Sequence, residues 1–298
     1  MNPSPFNAHT QQLSSSWFPF KLQKSILLPL VVFIIGLVIS SAGAWWLYNE
    51  IKANAEIDFQ RNVDRVSGEV AQRFNLPVYG LNGIKGAYAA DGALTRGQFH
   101  AYVASRNLSV EFPGVRGFGF IQRVQRNQLN TFMAETQADG APKFALRQLQ
   151  DRQHDDLYII KYIEPSEGNQ GAEGFDVGSE PVRRAAVLSA INSGKPTFSG
   201  SIHLVQSNFK VPGVLLFIPV YSYGSNPTTP AERQASLVGI LYSPIAIAEL
   251  LSDIPEFMDG RVDVELFDSL NDLSNKTMIF DADGSKYADF CGGVIILT

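Results

Sequence analysis

Between Ser25 and Tyr48 the chain carries no charged side chain: SILLPLVVFIIGLVISSAGAWWLY. Roughly 20 apolar residues suffice for a helix to cross a hydrocarbon core, so the run predicts a transmembrane helix over 25–48. Trp45, Trp46 and Tyr48 gather at its far end, where amphipathic rings favour the membrane–water interface. Lys21 and Lys24 precede the run, while Glu50, Lys52, Glu56 and Asp58 follow it. The positive-inside bias therefore puts residues 1–24 in the cytoplasm as a tail and everything after Tyr48 outside. The alternative is a cleaved signal peptide, since Ala42-Gly43-Ala44 resembles a small-residue cleavage site. Either way the rest of the chain is exported.

Beyond the membrane run, Phe59, Val63, Val66, Val70 and Phe74 are spaced four, three, four and four apart. That stripe marks one face of a stalk helix over 49–76, which pairs either with its own domain or with a second subunit. Leu76-Pro77 is expected to break it, with a second helical stretch from Leu81 to Ala90. Thr95 with Gln98 three residues on reads as a capping box, opening a helix that turns Phe99 and Val103 inward. VRGFGFIQRV reads as a strand, Leu129, Phe132 and Met133 as the apolar face of a helix, and DLYIIKYIEP as another strand. A glycine-rich loop from Ser166 to Gly178 follows, in which Asp176 ties down the turn. Ser179 is the expected cap of a helix that has Pro181 in its first turn and stops at Gly194.

Strands are expected over 197–205, 213–221 and 237–242, with SYGSNPTTPAERQ between the last two as a surface loop. Ser243-Pro244 is expected to start a helix, and RVDVELF a strand. Helices first and then strands broken by single helices predict an α+β domain with a helix-flanked antiparallel sheet.

Composition narrows the function. The chain has a formal charge of -5, with 45% hydrophobic and 18% charged residues, so it has no basic excess for binding nucleic acid. A lone cysteine, Cys291, allows neither an internal disulfide nor a thiolate metal cluster. His154-Asp155 has no helical histidine partners, no serine sits in a G-x-S-x-G elbow, and DADG lacks the remaining ligands of a calcium loop and reads as a turn. No catalytic residue, metal ligand or cofactor is therefore assigned.

The blocks PGVRGFGFIQRV, YIIKYIEP, EGFDVGSEPVRRAAVLSA, SGKPTFSGSIHLVQ and GVLLFIPVY, in that order, resemble the CHASE domain. This is the extracellular sensor of many bacterial receptors and of the plant cytokinin receptors. The resemblance runs from about Ala89 to Tyr242, roughly half the chain. It implies a long stalk helix carrying two PAS-like modules, with ligand in the membrane-distal one, over 77–243. A second membrane span and a cytoplasmic output, such as a histidine kinase or a cyclic-dinucleotide enzyme, are also implied. Nothing after Tyr48 is long enough to cross a bilayer, and 244–298 looks like the start of a membrane-proximal module. The expectation is a receptor truncated before its second span.

The same resemblance places Arg183 near the position where plant receptors carry an acidic residue, and Phe217 where they carry a hydroxyl. Both changes disfavour an adenine-type ligand. Arg183 instead suits a carboxylate or phosphate, which its planar fork binds in bidentate fashion; the alternative is a solvated face or a structural ion pair. Leu215 and Phe217 share a strand face, as core or as pocket wall. Ser199, Ser201 and His203 alternate with apolar neighbours, as a polar pocket floor or a solvent-facing side. Tyr158 and Tyr162, four apart on a strand, are expected to share a face. The chain so read is a membrane-anchored small-molecule sensor at the cell inner membrane, dimeric through its stalk. An exported anchored hydrolase and an inert scaffold module are the alternatives.

Overall fold

The computed structural model of the chain describes residues 24–150, 154–204, 212–252, 264–268, 277–281 and 293–297. The expected tail before Lys24, the end of the strand expected to reach Val205, Cys291 and most of the DADG turn lie outside these residues. The chain divides into two compact units, one ending at Asp58 and one beginning at Phe59.

Helix α1 (Lys24–Asp91) contributes to both. In the first unit its apolar side chains from Ile26 to Tyr48 are exposed, Trp45 by 70%. By length and composition this is a helix able to cross a membrane. In the second unit α1 buries Val66, Val70, Phe74, Leu81, Ile84 and Tyr88 against the sheet. The heptad-like stripe thus closes on its own unit, with Phe59 and Val63 half-buried at its start. The expected break at Leu76-Pro77 does not occur. An interior proline costs about 3 kcal/mol, but each fully buried Leu or Ile contributes about 1.5–3 kcal/mol. Phe74 before Pro77 and Leu81 and Ile84 after it hold the helix to one continuous core.

Thr95 caps α2 (Arg96–Ala104) through the complete capping box with Gln98, and Phe99 and Val103 are its buried residues. Then come α3 (Leu108–Glu111), β1 (Phe118–Gln125), α4 (Leu129–Ala138) and β2 (Asp156–Glu164). α5 (Pro181–Ser193) is capped by Glu180, not Ser179: the carboxylate accepts from the backbone N–H groups of Val182 and Arg183. The Ser179 hydroxyl is already committed, donating to the Asp176 carbonyl and accepting from the Leu149 N–H. Gly194 ends α5 in the left-handed conformation, φ 72°, which glycine adopts without a Cβ penalty.

The expected strand 197–205 is two short pieces, β3 (Thr197–Phe198) and β4 (Ile202–His203), separated at Ser199 to Ser201. Both pair with β5 (Pro212–Tyr221). The segment expected to be wholly loop contains α6 (Pro230–Ala235), nucleated by a Thr229–Glu232 capping box. β6 (Leu237–Ala246) runs straight through Ser243-Pro244, and among the described residues only α7 (Ile247–Leu250) is helical beyond it. Pro244 is tolerated because its carbonyl, and hence its ring nitrogen, faces the β1 side beyond the end of that strand, where the Arg116 N–H donates to it.

The main sheet is six-stranded and antiparallel in its pairings, in the order β2-β1-β6-β5-β3, with β4 beside β5. This is the helix-flanked, PAS-like α+β arrangement expected. A second sheet of three strands joins β7 (Val264–Asp268) antiparallel to β8 (Thr277–Asp281) and parallel to β9 (Gly293–Leu297).

Each face of the main sheet is covered. Val214, Leu216, Ile218 and Val220 of β5 meet α1 and α2, while Leu215 and Phe217 meet α5 and the loop before it. A β-bulge interrupts the β1–β2 ladder: Phe120 pairs with Tyr162 but Ile121 with Ile160, leaving Lys161 extra. The bulge reverses the alternation. Tyr158 consequently lies on the α5 face and Tyr162 on the α1 face, contrary to the spacing rule.

Candidate functional site

Beneath α5 lies a small cavity whose volume, about 10 Å³, holds at most one water. Its walls are Ile160 from β2, Phe175 and Val177 from the loop, Ile202 and Leu204 from the edge, Leu215 from β5 and Tyr242 from β6. Arg183 closes it from the first turn of α5. Seven apolar or aromatic walls and one cation make an apolar chamber with a single charged point of attachment.

Arg183 is 4% exposed. Its Nη2 donates to the His203 carbonyl at 2.7 Å, its Nη1 stands 3.6 Å from Glu180 Oε2, and its guanidinium lies 5.5 Å from the Phe175 ring centre. Burial pushes its pKa below the ordinary arginine value, and the Glu180 charge opposes that shift. A guanidinium has five N–H donors; among the described residues this one makes a single hydrogen bond from its side chain. Glu180 is a weak counter-ion here, because its oxygens also cap the helix.

Tyr242 is the second unusual group. Its hydroxyl is buried and has no hydrogen-bond partner among the described residues. Burial, reinforced by the Glu173 charge, holds its pKa well above the ordinary phenol value. Gly119 makes room for its ring: a Cβ there would collide with the ring and stand 2.8 Å from the Tyr162 carbonyl oxygen.

The other residues singled out in the sequence are distributed differently. Leu215 lines the cavity; Phe217 is fully buried core outside its lining. Ser199 Oγ accepts from the Leu215 N–H at 2.9 Å and donates to the Gly200 carbonyl, stitching the gap between β3 and β4. Ser201 is half-buried and bonded. His203 contributes its carbonyl, while its imidazole is exposed. Tyr158 packs beneath the Arg184 guanidinium, 5.4 Å away. Asp176 ties the loop as expected, accepting from the N–H groups of Tyr158 and Gly178 and from Gln148.

Tyr162 belongs to a separate aromatic cluster on the opposite face. Its hydroxyl lies 2.7 Å from that of Tyr88 on α1, and both rings stack on Phe120. Arg96 sits over the Tyr162 ring, donating to the Lys161 carbonyl and to Glu173. Burial raises the Tyr162 pKa to about 12, with the Tyr88 hydrogen bond and the Arg96 charge opposing, and raises that of Tyr88 further still.

A larger open groove of about 640 Å³ runs between α2, α3 and the ends of β1 and β2. Its charges are mutually satisfied: His100 faces Glu164 at 3.1 Å, Arg106 pairs with Glu111, and Arg116 with Glu249. It offers no uncommitted charge, and the α5 cavity is the better candidate despite its size.

The family model described as the CHASE domain matches residues 92–280, well over half of the chain. The chain belongs to the CHASE domain family. A CHASE domain is an extracellular, non-catalytic sensor, and this chain carries the sensor domain of a receptor. No curated protein matches the sequence. A solved extracellular ligand binding receptor from Desulfohalobium retbaense DSM5692 aligns with a TM-score of 0.46 at 11% identity, covering 74% of this chain and 30% of that one. The chain therefore spans under a third of that receptor's length.

Within this CHASE domain, sequence reasoning missed Tyr242, Phe175 and Val177. Continuing the period-two alternation of LVGILYSPIA past Tyr242 would have put that ring on the face of Ile240 and Ala246.

Proposed function

We propose that this chain is the membrane-anchored, extracytoplasmic small-molecule sensor of a signal-transduction receptor. Ligand is held between α5 and the main sheet, with an anionic group on Arg183. The observation that carries this reading is a buried guanidinium, hydrogen-bonded once among the described residues, at the edge of a chamber where sheet, loop and helix converge. Its pairing with Glu180 is loose, at 3.6 Å, so part of the cost of burying the charge remains, and an anionic ligand removes it.

The uncharged run with its aromatic end supports a single-pass anchor in the inner membrane, N-terminus inside. A homodimer through α1 has to use the side of that helix away from Val66, Val70 and Phe74, because those residues are buried in their own core. The expected module boundaries at 76/77 and 243/244 fall inside α1 and β6, so the membrane-distal module keeps β6 to its end at Ala246 and a membrane-proximal one follows it.

Thermal unfolding of the full chain in detergent, screened against small metabolites, tests the reading with Arg183→Ala as control. Stabilisation by anions that disappears in the variant is expected. Anions that stabilise both proteins equally remove Arg183 from the site. An inert scaffold module is the second reading, favoured by a chamber with room for only one water. A screen in which nothing stabilises the chain decides for it.

A further inference from the structure

The nature of the cavity wall restricts the anion, if the anion-sensor reading just given holds. Arg183 is the one charged group lining the chamber among the described residues; the rest are Ile160, Val177, Ile202, Leu204, Leu215 and two aromatic rings. A dianion such as phosphate brings a second charge for which the wall has no second cation, and that desolvation goes uncompensated. A singly charged carboxylate adds less uncompensated charge and suits the guanidinium fork, on which Glu180, 3.6 Å away and engaged in capping α5, is a weak partner. The aliphatic wall then suits a short alkyl tail, but a chamber with room for one water takes that tail only if part of the wall moves.

The way in is suggested by what Arg183 holds. Its Nη2 donates to the His203 carbonyl, a neutral acceptor on β4. The bond to that carbonyl is already charge-assisted through its donor; a carboxylate adds charge on the acceptor side and can take two parallel N–H groups of the fork, where the carbonyl takes one. Among the described residues β4 is two residues long and pairs with β5 through Ile202 with Gly213 and His203 with Pro212. Ile202 and the neighbouring Leu204 are also cavity walls. Exchanging the His203 carbonyl for a ligand carboxylate therefore releases the stretch whose outward shift makes room for the tail.

We propose that the α5 cavity takes a short-chain monocarboxylate, its carboxylate replacing the His203 carbonyl on Arg183 and its alkyl tail pushing Ile202 and Leu204 outward. Head-group recognition and cavity opening are then one event.

The test is thermal unfolding of the full chain in detergent micelles at pH 7 and fixed ionic strength. The probes are sodium propionate, propionamide and sodium phosphate, each against sodium chloride. Propionate at tenfold excess over its dissociation constant is expected to raise the midpoint by about 3 °C or more. Propionamide and phosphate are expected to leave it unmoved. Arg183→Lys keeps the charge but not the fork and is expected to lose most of the propionate shift. Should that variant fail to fold, amide exchange of the wild-type chain serves instead. Exchange at Ile202 to Leu204 is expected to speed up in propionate and not in propionamide. Stabilisation by phosphate alone overturns the monocarboxylate class while the anion-sensor reading survives. An equal response to propionate and propionamide overturns the class too, and with it the anionic contact at Arg183. No shift with any probe overturns the class as well, and whether the broader reading falls with it is decided by the metabolite screen.

Discussion

The two faces of the main sheet bury similar kinds of side chain but are held in different ways. On the α1 face a long helix supplies buried residues from Val66 to Tyr88, and an aromatic cluster closes around Phe120 with its two tyrosine hydroxyls bonded to each other. On the α5 face the cover is one helix of 13 residues and a loop tied down at Asp176. It retains a small chamber, a cation with one side-chain hydrogen bond and a phenol with none. The α1 face also keeps unmet bonding capacity, since Ser243 Oγ and Arg96 Nε are buried without a partner among the described residues; what sets the α5 face apart is its chamber, where close packing is interrupted. The first face is built to hold the helix and the second to change.

That contrast is sharpest in matched core truncations. Leu81→Ala on the α1 face is expected to cost about 4–5 kcal/mol and Leu215→Ala on the α5 face about 2–3 kcal/mol, because the edge beside Leu215 has room to settle. Denaturant titration of the full chain measures both, and equal losses would break the comparison. Next in size, Gly119→Ala drives a methyl into the Tyr242 ring and is expected to cost about 1–3 kcal/mol by overpacking.

Tyr162→Phe removes the hydroxyl pair and leaves Tyr88 buried without its partner, a loss of about 1–2 kcal/mol. It also has a pH signature. Folding raises the Tyr162 pKa from 10.0 to about 12, so the folded chain keeps a proton that the unfolded chain releases. Stability is full below pH 10 and falls as pH rises through that window, and Tyr162→Phe should make this alkaline limb shallower, the remainder belonging to other buried tyrosines such as Tyr88 and Tyr242. An unchanged limb in the variant would mean that the α1-face pair is not what titrates. The smallest effect is expected at Thr95→Ala, where the lost cap costs about 1 kcal/mol and should leave ligand-induced shifts on the α5 face intact. A change in those shifts would show that α2 is coupled to the site.

Features with local causes were legible in the sequence. The Thr95–Gln98 capping box, Pro181 and Gly194 at the ends of α5, the glycine-rich loop tied by Asp176 and the cores of β1, β2 and β5 all follow from short-range chemistry. Features decided by a distant partner were not. Pro77 stays helical because of what Phe74 and Leu81 meet across the sheet. Ser243-Pro244 stays extended because β5 pairs along that whole stretch. The same division separates the candidate residues. Leu215 reaches the cavity by strand alternation, whereas Arg183 was pointed to by the family resemblance. Ser199 is instead recruited to bond the Leu215 backbone, because β3 and β4 do not form one strand. Tyr162 could not be placed from spacing, since Lys161 carries no glycine or proline that would announce a bulge.

Lys161 itself has an unusual standing among the strand residues. Because it is the one surplus position in β2, deleting it would let Phe120 keep Tyr162 and Ile121 keep Ile160 in an unbroken ladder. A deletion elsewhere in an ordinary strand transposes every side chain beyond it; here the two layers would stay in register, and the loss would fall on Arg96, whose guanidinium docks on the Lys161 carbonyl. The surplus residue is a foothold for the neighbouring helix, separable from the weave of the sheet that carries it.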